Sequence, residues 1–403
     1  MAFQDILSLD IARVRGCCIH VVGENGRCLH NSTSLDTLSL YRSILVMPQL
    51  SPIDQAIADE LGIPVSRLLP ETLWRIQWQY LRETFHHAKQ TSAFYAKHFQ
   101  GIPQISSRKD WENLPLLTAN DLSQPEALLG TSQSAVERMV TLQTSGTTGS
   151  PKRIALSTTD LQRTQAFFAH GLSTLLRKGD RLAILLPGSM RPMGLLDLIT
   201  KSVEPLGINV LLPNPAIRTN PQQLCAWIFA TKPTVLLGAP SLLQGLLPYA
   251  PTGFPHLSGI LASTEPLEEA CKVALAQAWH CEILNHYGLT EIAYGLALEC
   301  PAHQGMHLRS LDCYVECIDP ITHQCLPKGC VGEILITTLQ RKTMPLIRYR
   351  TGDIGFLRTD PCGCGSLLPR LGAILGRLSL LPNGGWQWIH KPKGHHFGMP
   401  PSS

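Results

Sequence analysis

The sequence predicts an α/β protein: mostly parallel sheets layered with helices, joined to a smaller β-rich subdomain. Between residues 182 and 284, short apolar segments alternate with segments of helical period, the pattern of repeated strand–helix–strand units. A longer helix-period segment precedes them, and beyond about residue 295 the text turns to apolar–polar alternation.

Taken in order, residues 1–46 are weakly patterned and read as an N-terminal extension without an assigned role. In residues 71–99, Leu73, Ile76, Tyr80, Leu81, Phe85 and Ala88 recur at helical spacing and predict a helix. A short helix start is expected at Ala119-Asn120-Asp121. Residues 139–142 and 154–156 read as two strands of a hairpin. Strands are then expected at 182–186, 208–212, 234–237, 259–262 and 281–284. Helices alternate with them at 193–206, 221–230, 241–247 and 266–279, the last with Pro266 in its first turn. Sheets of this kind bind ligands beyond the carboxyl ends of their strands. Strands at 314–318, 332–337 and 354–357 make the β-rich part. The Gly-, Pro- and His-rich end from Pro382 predicts an unstructured tail. The division that follows is 1–46, a large domain over 47–375, and a hinge and tail over 376–403.

A net charge of +4 with signs interspersed points to neither nucleic acid nor a membrane surface. No apolar run is long enough to cross a bilayer. Thirteen cysteines, an odd number in a chain of this size, fit a reducing, cytoplasmic setting.

The most informative run is TLQTSGTTGSPKR at 141–153. Thr144, Ser145, Gly146, Thr147, Thr148 and Gly149 offer hydroxyls and bare backbone N–H groups, and Lys152 offers a cation; together they suit an anion such as a phosphate. The run is not a Walker loop, because Pro151 and Arg153 stand where that motif needs Gly and Ser/Thr. Asn285-His286-Tyr287-Gly288-Leu289-Thr290-Glu291 follows a predicted strand and brings a hydroxyl and a carboxylate, groups that can organise a hard cation beside a triphosphate. Ala262-Ser263-Thr264-Glu265-Pro266 also closes a strand; it suits a binding loop, a helix N-cap, or both. Pro345-Leu346-Ile347-Arg348-Tyr349-Arg350-Thr351-Gly352-Asp353 and Gly376-Arg377 follow.

These motifs, in this order, resemble the hallmarks of the adenylate-forming superfamily over roughly residues 66–378. Ser92-Ala93-Phe94-Tyr95, Leu114-Pro115 and a cysteine-bearing insert bring the chain nearest to the phenylacetate–CoA ligase-like, AMP-dependent acyl-CoA ligase branch. The resemblance implies a two-step reaction. An aromatic or other small carboxylic acid is activated by ATP to acyl-AMP, and a thiol, coenzyme A or a carrier protein, then displaces AMP. It implies that Ser145, Gly146, Thr147, Thr148, Gly149 and Lys152 hold phosphates, that Thr290 meets the α-phosphate and that Glu291 helps hold Mg²⁺. It also implies that Tyr287 and Gly288 pack on the adenine, with Thr264, Glu265 and Pro266 along it. Asp353 would bind the ribose hydroxyls, and Arg377 would approach ribose or phosphate.

Cys300, His307, Cys362 and Cys364 have the donor chemistry of a closed tetrahedral zinc site, a set some members of the branch share; buried free thiols are the other reading. After Gly376-Arg377 the resemblance implies a hinge and a lid domain carrying a catalytic Lys. The sequence reaches only Ser403, which predicts that most of the lid is lacking. Two functions therefore stand: an acid–thiol ligase, or a catalytically reduced or split relative that binds nucleotide or acyl ligand and needs a separate lid or partner. A homodimer is compatible with either.

Overall fold

The computed structural model describes residues 50–142, 151–188, 190–380, 386–390 and 397–399. By contact the chain separates into Met1–Met47 and Pro48–Ser403, and every described residue belongs to the second unit. The expectation for 1–46 therefore lies outside the described residues.

The long N-terminal helix forms as the periodicity predicts, with one difference. It runs Pro70–Thr91, burying Leu73, Gln77, Leu81, Thr84, Phe85 and Ala88, and stops at Ser92. Ser92 leaves helical geometry and its hydroxyl caps a second helix, Ala93–His98. The same hydroxyl donates to the Ala127 carbonyl at 2.8 Å, so the break also ties the helix pair to the next segment.

β1 (Arg138–Leu142) and β2 (Lys152–Leu156) form the expected hairpin, antiparallel from Arg138↔Leu156 to Leu142↔Lys152. The helix Thr158–Leu172 follows, opened by a reciprocal cap in which Ser157 and Asp160 each bond the other's backbone N–H. β3 (Arg181–Ile184), β4 (Asn209–Leu211), β5 (Val235–Gly238), β6 (Gly259–Ala262) and β7 (Glu282–Tyr287) then alternate with helices and pair in parallel, in the order β4-β3-β5-β6-β7. Val235–Gly238 and Gly259–Ala262 are buried throughout, as strands covered on both faces must be.

The same sheet continues antiparallel through β8 (Ala297–Glu299) and β9 (Met306–Leu308). β10 (Cys313–Ile318), β11 (Gly332–Thr338) and β12 (Tyr349–Gly355) start a separate antiparallel sheet. β13 (Leu357–Arg358) and β14 (Arg370–Leu371) complete the nine-stranded sheet at its β9 edge. β15 (Gly376–Leu380) and β16 (Trp386–His390) complete the second sheet, order β10-β11-β12-β15-β16.

Three expectations are corrected. The helix at 266–279 spans only Glu269–Trp279, so Pro266 lies before it and Ser263 to Pro266 do not cap it. The reason is that the Glu265 carboxylate accepts from the Ser241 N–H (3.0 Å) and hydroxyl (2.9 Å), holding this loop against the first turn of the helix Pro240–Leu246. The strand at 354–357 is divided, with Gly355 ending β12 and Leu357 opening β13. The third concerns the end of the chain. Gly376-Arg377, expected to begin a hinge, is not loop but the start of β15, paired Ile354↔Gly376 and Asp353↔Arg377. Nor is the tail unstructured throughout: Trp386–His390 is a strand, and Phe397 stacks on Trp388 with ring centroids 5.8 Å apart. Gly and Pro dominate the composition there, but the alternation of Leu378, Leu380, Trp386 and Trp388 is the stronger signal.

Candidate nucleotide and acyl site

β7, β12, β15 and the start of β2 each deliver a side chain to one place. Tyr287 ends β7, and its hydroxyl donates to Asp353 Oδ2 at 2.7 Å. Arg377, the cross-strand partner of Asp353, donates to Oδ1 at 2.8 Å. Lys152 opens β2, and its ammonium lies 2.8 Å from Glu291 Oε1 and 3.3 Å from the Tyr349 hydroxyl. Tyr349 in turn donates to the same Glu291 oxygen at 2.9 Å. These are two hydrogen-bonded sets, and the Arg377 guanidinium acts on Glu291 and Tyr349 as well as on Asp353, so Lys152 and Arg377, 225 positions apart, belong to one polar cluster.

Backbone geometry puts these groups in place. Between its pairings Leu335↔Arg350 and Glu333↔Ile354, β12 carries extra residues and bulges. Gly352 sits in the bulge at φ +77°, where a Cβ would lie 2.5 Å from the Leu378 carbonyl oxygen. Buried Glu333 holds the bulge: it takes hydrogen bonds from Arg350 Nη2 at 2.6 Å and from the Gly352 N–H at 3.1 Å. After β7 the chain turns sharply. A Cβ on Gly288 would meet the Tyr294 carbonyl oxygen at 1.6 Å, so this turn requires glycine. Ala293 and Tyr294 follow in the left-handed region at φ 63° and 79°, strain of a kind that clusters at functional sites. Thr290–Ile292 forms a single helical turn between them that presents Thr290 and Glu291.

The electrostatics follow from burial and pairing. Burial raises the Glu291 carboxyl, but the Lys152 ammonium and the hydrogen bonds from Lys152 and Tyr349 outweigh it and hold the group below its usual range. Asp353 moves the other way: burial raises it, and Arg377 and Tyr287 offset this only in part. Both phenols are driven well up, first by burial and then by the carboxylates they face. Tyr287 and Tyr349 therefore act as hydrogen-bond donors. The cluster holds a cation, a carboxylate of lowered pKa and a second carboxylate aimed between an aromatic ring and a guanidinium.

Of the residues expected from sequence, Lys152, Tyr287, Glu291, Asp353 and Arg377 come together here, with Gly288 and Thr290 in the connecting turn. Ser145, Gly146, Thr147, Thr148 and Gly149 lie outside the described residues. Thr264, Glu265 and Pro266 are exposed at the carboxyl end of β6, with Thr264 at φ 75°. Tyr349 was legible inside its motif but carried no expected role. Arg341 had no motif at all, yet its buried guanidinium donates to the Glu291 carbonyl (2.6 Å) and the Ala155 carbonyl (3.0 Å), clamping the β7 turn to β2. Tyr95 fixes the strand bearing Asp353 from the helical layer: its hydroxyl donates to the Pro345 carbonyl at 2.9 Å and accepts from the Ile347 N–H at 3.0 Å.

A second cluster lies at the β8–β9 end. Cys300, His307, Cys362 and Cys364 are all buried, and their donor atoms lie within 4.8 Å of one another. The Cys300 and Cys362 sulfurs are 3.7 Å apart, and Cys364 Sγ is 3.5 Å from His307 Nε2. These are non-bonded separations of the size found between ligands on a tetrahedral ion. His307 Nδ1 faces Asp54 Oδ1 at 3.2 Å, the carboxylate–imidazole arrangement that orients metal-binding histidines. The ten described cysteines are all free.

No helix among the described residues is long and apolar enough to cross a membrane. The sequence pattern of the AMP-binding enzyme family matches residues 88–341. Phenylacetate-coenzyme A ligase of Thermus thermophilus is 30% identical over 70% of this chain, which spans 62% of that relative's length. Phenylacetate-coenzyme A ligase of Pseudomonas putida is 27% identical over 80% of this chain and 74% of its own. An open conformation of 2-hydroxyisobutyryl-CoA ligase, in complex with 2-HIB-AMP and CoA, superposes with a TM-score of 0.65 over 77% of this chain and 76% of that one; at 19% identity the likeness is one of fold.

Proposed function

Since this chain belongs to the AMP-binding enzyme family, we propose that it activates a small carboxylic acid with ATP to acyl-AMP and passes the acyl group to coenzyme A. The observation that carries this reading is the meeting of Lys152, Glu291, Tyr287, Asp353 and Arg377, supplied by distant motifs, in one polar cluster. The curated relatives' names, phenylacetate-coenzyme A ligase, support the same reaction class.

In this reading an acid oxygen attacks the α-phosphorus and pyrophosphate leaves; the CoA sulfur then attacks the acyl carbon and AMP leaves. No general base is needed for the first step, because the acid is ionised at neutral pH. The protein's work is to position the reactants and stabilise charge on the phosphates. Lys152, with Thr148 and Thr290, would do so, exchanging the Glu291 carboxylate for phosphate oxygens. Until then the Lys152–Glu291 pair spares each partner an uncompensated buried charge. The hard oxygen donors Glu291 and Thr290 fit Mg²⁺, which would neutralise phosphate charge. Tyr287 and Gly288 would meet the adenine with Thr264, Glu265 and Pro266 along it. Asp353 would take the ribose hydroxyls, with Arg377 beside them.

The test is carboxylate-dependent release of AMP and pyrophosphate across aryl, short-chain and fatty acids, with hydroxylamine trapping acyl-AMP. Hydroxamate from one acid class supports the ligase. ATP binding with no hydroxamate from any acid would favour a chain that works only with a separate lid or carrier partner.

We also propose that Cys300, His307, Cys362 and Cys364 hold a structural Zn²⁺. Three thiols and an imidazole in mutual reach, with Asp54 on the far imidazole nitrogen, make a closed donor set without an open position for chemistry.

A further inference from the structure

His286 is the residue before Tyr287 on β7, and the nucleotide cluster makes no use of it. It is buried, and its Nδ1 lies 2.8 Å from the Ser263 hydroxyl at the end of β6. Among the described residues its Nε2 has no hydrogen-bond partner. A polar nitrogen withdrawn from water and left unpaired is destabilising, so one in a folded protein needs a reason.

Its surroundings supply one. β5, β6 and β7 are adjacent and parallel, with Gly238↔Ala262 and Ala262↔Asn285 in register, so Ser263 and His286 stand just beyond the same level at the carboxyl ends of the strands. That is where such sheets bind ligands. The Cε1 edge of the imidazole, next to Nε2, lies 3.0 Å from where a Cβ of Gly288 would be, and so faces the turn that carries Thr290 and Glu291. Phe167 and Phe168 flank the ring at 6.0 Å and 5.6 Å, and Phe167 leaves no room for a Cβ on Gly295. The imidazole thus stands between two phenyl rings and the Gly288 turn, which leads to Thr290 and Glu291, the groups that would meet the α-phosphate and Mg²⁺.

We propose that His286 Nε2 hydrogen-bonds a neutral hydroxyl carried by the acid, making the preferred substrate a hydroxylated carboxylic acid. This rests on the adenylating reading of the same site. A hydroxyl fits whichever tautomer is present. If Ser263 donates to Nδ1, Nε2 carries the proton and donates outward; if Nδ1–H donates to Ser263, Nε2 accepts. A charged substituent would lose its hydration in this apolar setting without a counter-ion. Burial also lowers the imidazole pKa to about 4, so the ring is neutral at neutral pH and brings no charge of its own.

The experiment uses the full chain and matched acids: phenylacetate against its three ring-hydroxylated isomers, and propionate against 2-hydroxypropionate. Hydroxamate formation is read with wild type, His286→Phe and Ser263→Ala, and ATP affinity is measured for each by calorimetry. The wild type should favour the hydroxylated member of at least one pair by roughly 10-fold or more in kcat/KM, because a site built to pair a hydroxyl is left unpaired by its absence. His286→Phe should bring the pair within about 2-fold of each other with ATP affinity kept. Equal use of both members of every pair by the wild type overturns the proposal without any variant having to fold. So does a His286→Phe protein that loses both members in equal proportion, the mark of a purely structural histidine. Hydroxamate from no acid at all, with ATP still bound, sinks the adenylating reading and this inference with it, whereas turnover without preference sinks the inference alone.

Discussion

Lys152 and Asp353 sit in the same cluster but face different parts of the proposed nucleotide, and the difference is measurable. Lys152 contacts Tyr349 and Glu291, the latter assigned to the phosphate end, whereas Asp353 contacts Tyr287 and Arg377, assigned to adenosine. Lys152→Ala should weaken ATP by about 10- to 100-fold, the range of a lost charge-assisted hydrogen bond, and leave adenosine almost unaffected. Asp353→Ala should weaken ATP, AMP and adenosine alike. Calorimetry with the three ligands separates the cases, and unchanged affinity in both variants would remove the site assignment. His286 yields a test of another kind. Unfolded, it takes a proton below about pH 6.5; folded, burial delays protonation to about pH 4. The unfolded state therefore binds more protons across that window, and the group's share of stability falls as pH drops from about 6.5 to 4, by up to about 1.4 kcal/mol per unit. His286→Gln should flatten that part of the profile, read from urea midpoints at pH 7 and pH 5; an unaltered slope would mean that the imidazole is hydrated in the native state.

Among the elements, β12 carries most of the burden, because its bulge decides where Tyr349 and Asp353 point. Glu333 and Arg350 are buried together, and Glu333 also takes the Gly352 N–H. Glu333→Ala would strand the Arg350 guanidinium and should cost about 3–5 kcal/mol in denaturant unfolding. Because the bulge loses its anchor, nucleotide affinity should fall even in the fraction that stays folded; full affinity at reduced stability would show that Gly352 and β15 hold the bulge unaided. The same element shows what the sequence could and could not say. Strands β3 to β6 were readable within a residue or two, and β7 to within three at its end, since a buried strand writes itself as an apolar run. The motif residues were readable because each follows such a run. The pairing of β12 with β15 was not: Asp353↔Arg377 joins segments with their own strand β13 and β14 between them, and no local period reports a partner. Nor was the break at Ser92, where apolar spacing continues but a hydroxyl competes for the backbone. Arg341 escaped for the same reason as β15: its job, bridging Ala155 and Glu291, exists only once distant segments meet.

For the unit as a whole, the cysteine–histidine cluster joins more of the chain than any single sheet contact. Cys300 follows β8, His307 lies in β9, Cys362 and Cys364 precede β14, and Asp54 reaches His307 from the helix Pro52–Glu60 near the start of the described chain. Without an ion these groups still pair. The Cys364 thiol is held well below its ordinary range by its hydrogen bonds from Cys300 and His307, whereas the same pairing pushes the Cys300 thiol up. Zinc would turn hydrogen bonds among three short segments into coordinate bonds, and Asp54 would extend that tie to a fourth. The purified protein should carry one zinc per chain by elemental analysis, and Cys362→Ser with Cys364→Ser should abolish it. Asp54→Ala keeps all four donors and should weaken the metal by about 10- to 100-fold, the usual cost of losing the group that orients a histidine ligand. Strong chelators should lower the thermal midpoint of the wild type and speed hydrogen exchange in the helix Pro52–Glu60, while leaving the Lys152–Glu291 and Tyr287–Asp353 contacts, on other elements, able to bind ATP. Metal-free protein with an unchanged midpoint would instead make the cluster a set of packed thiols, stable through burial alone.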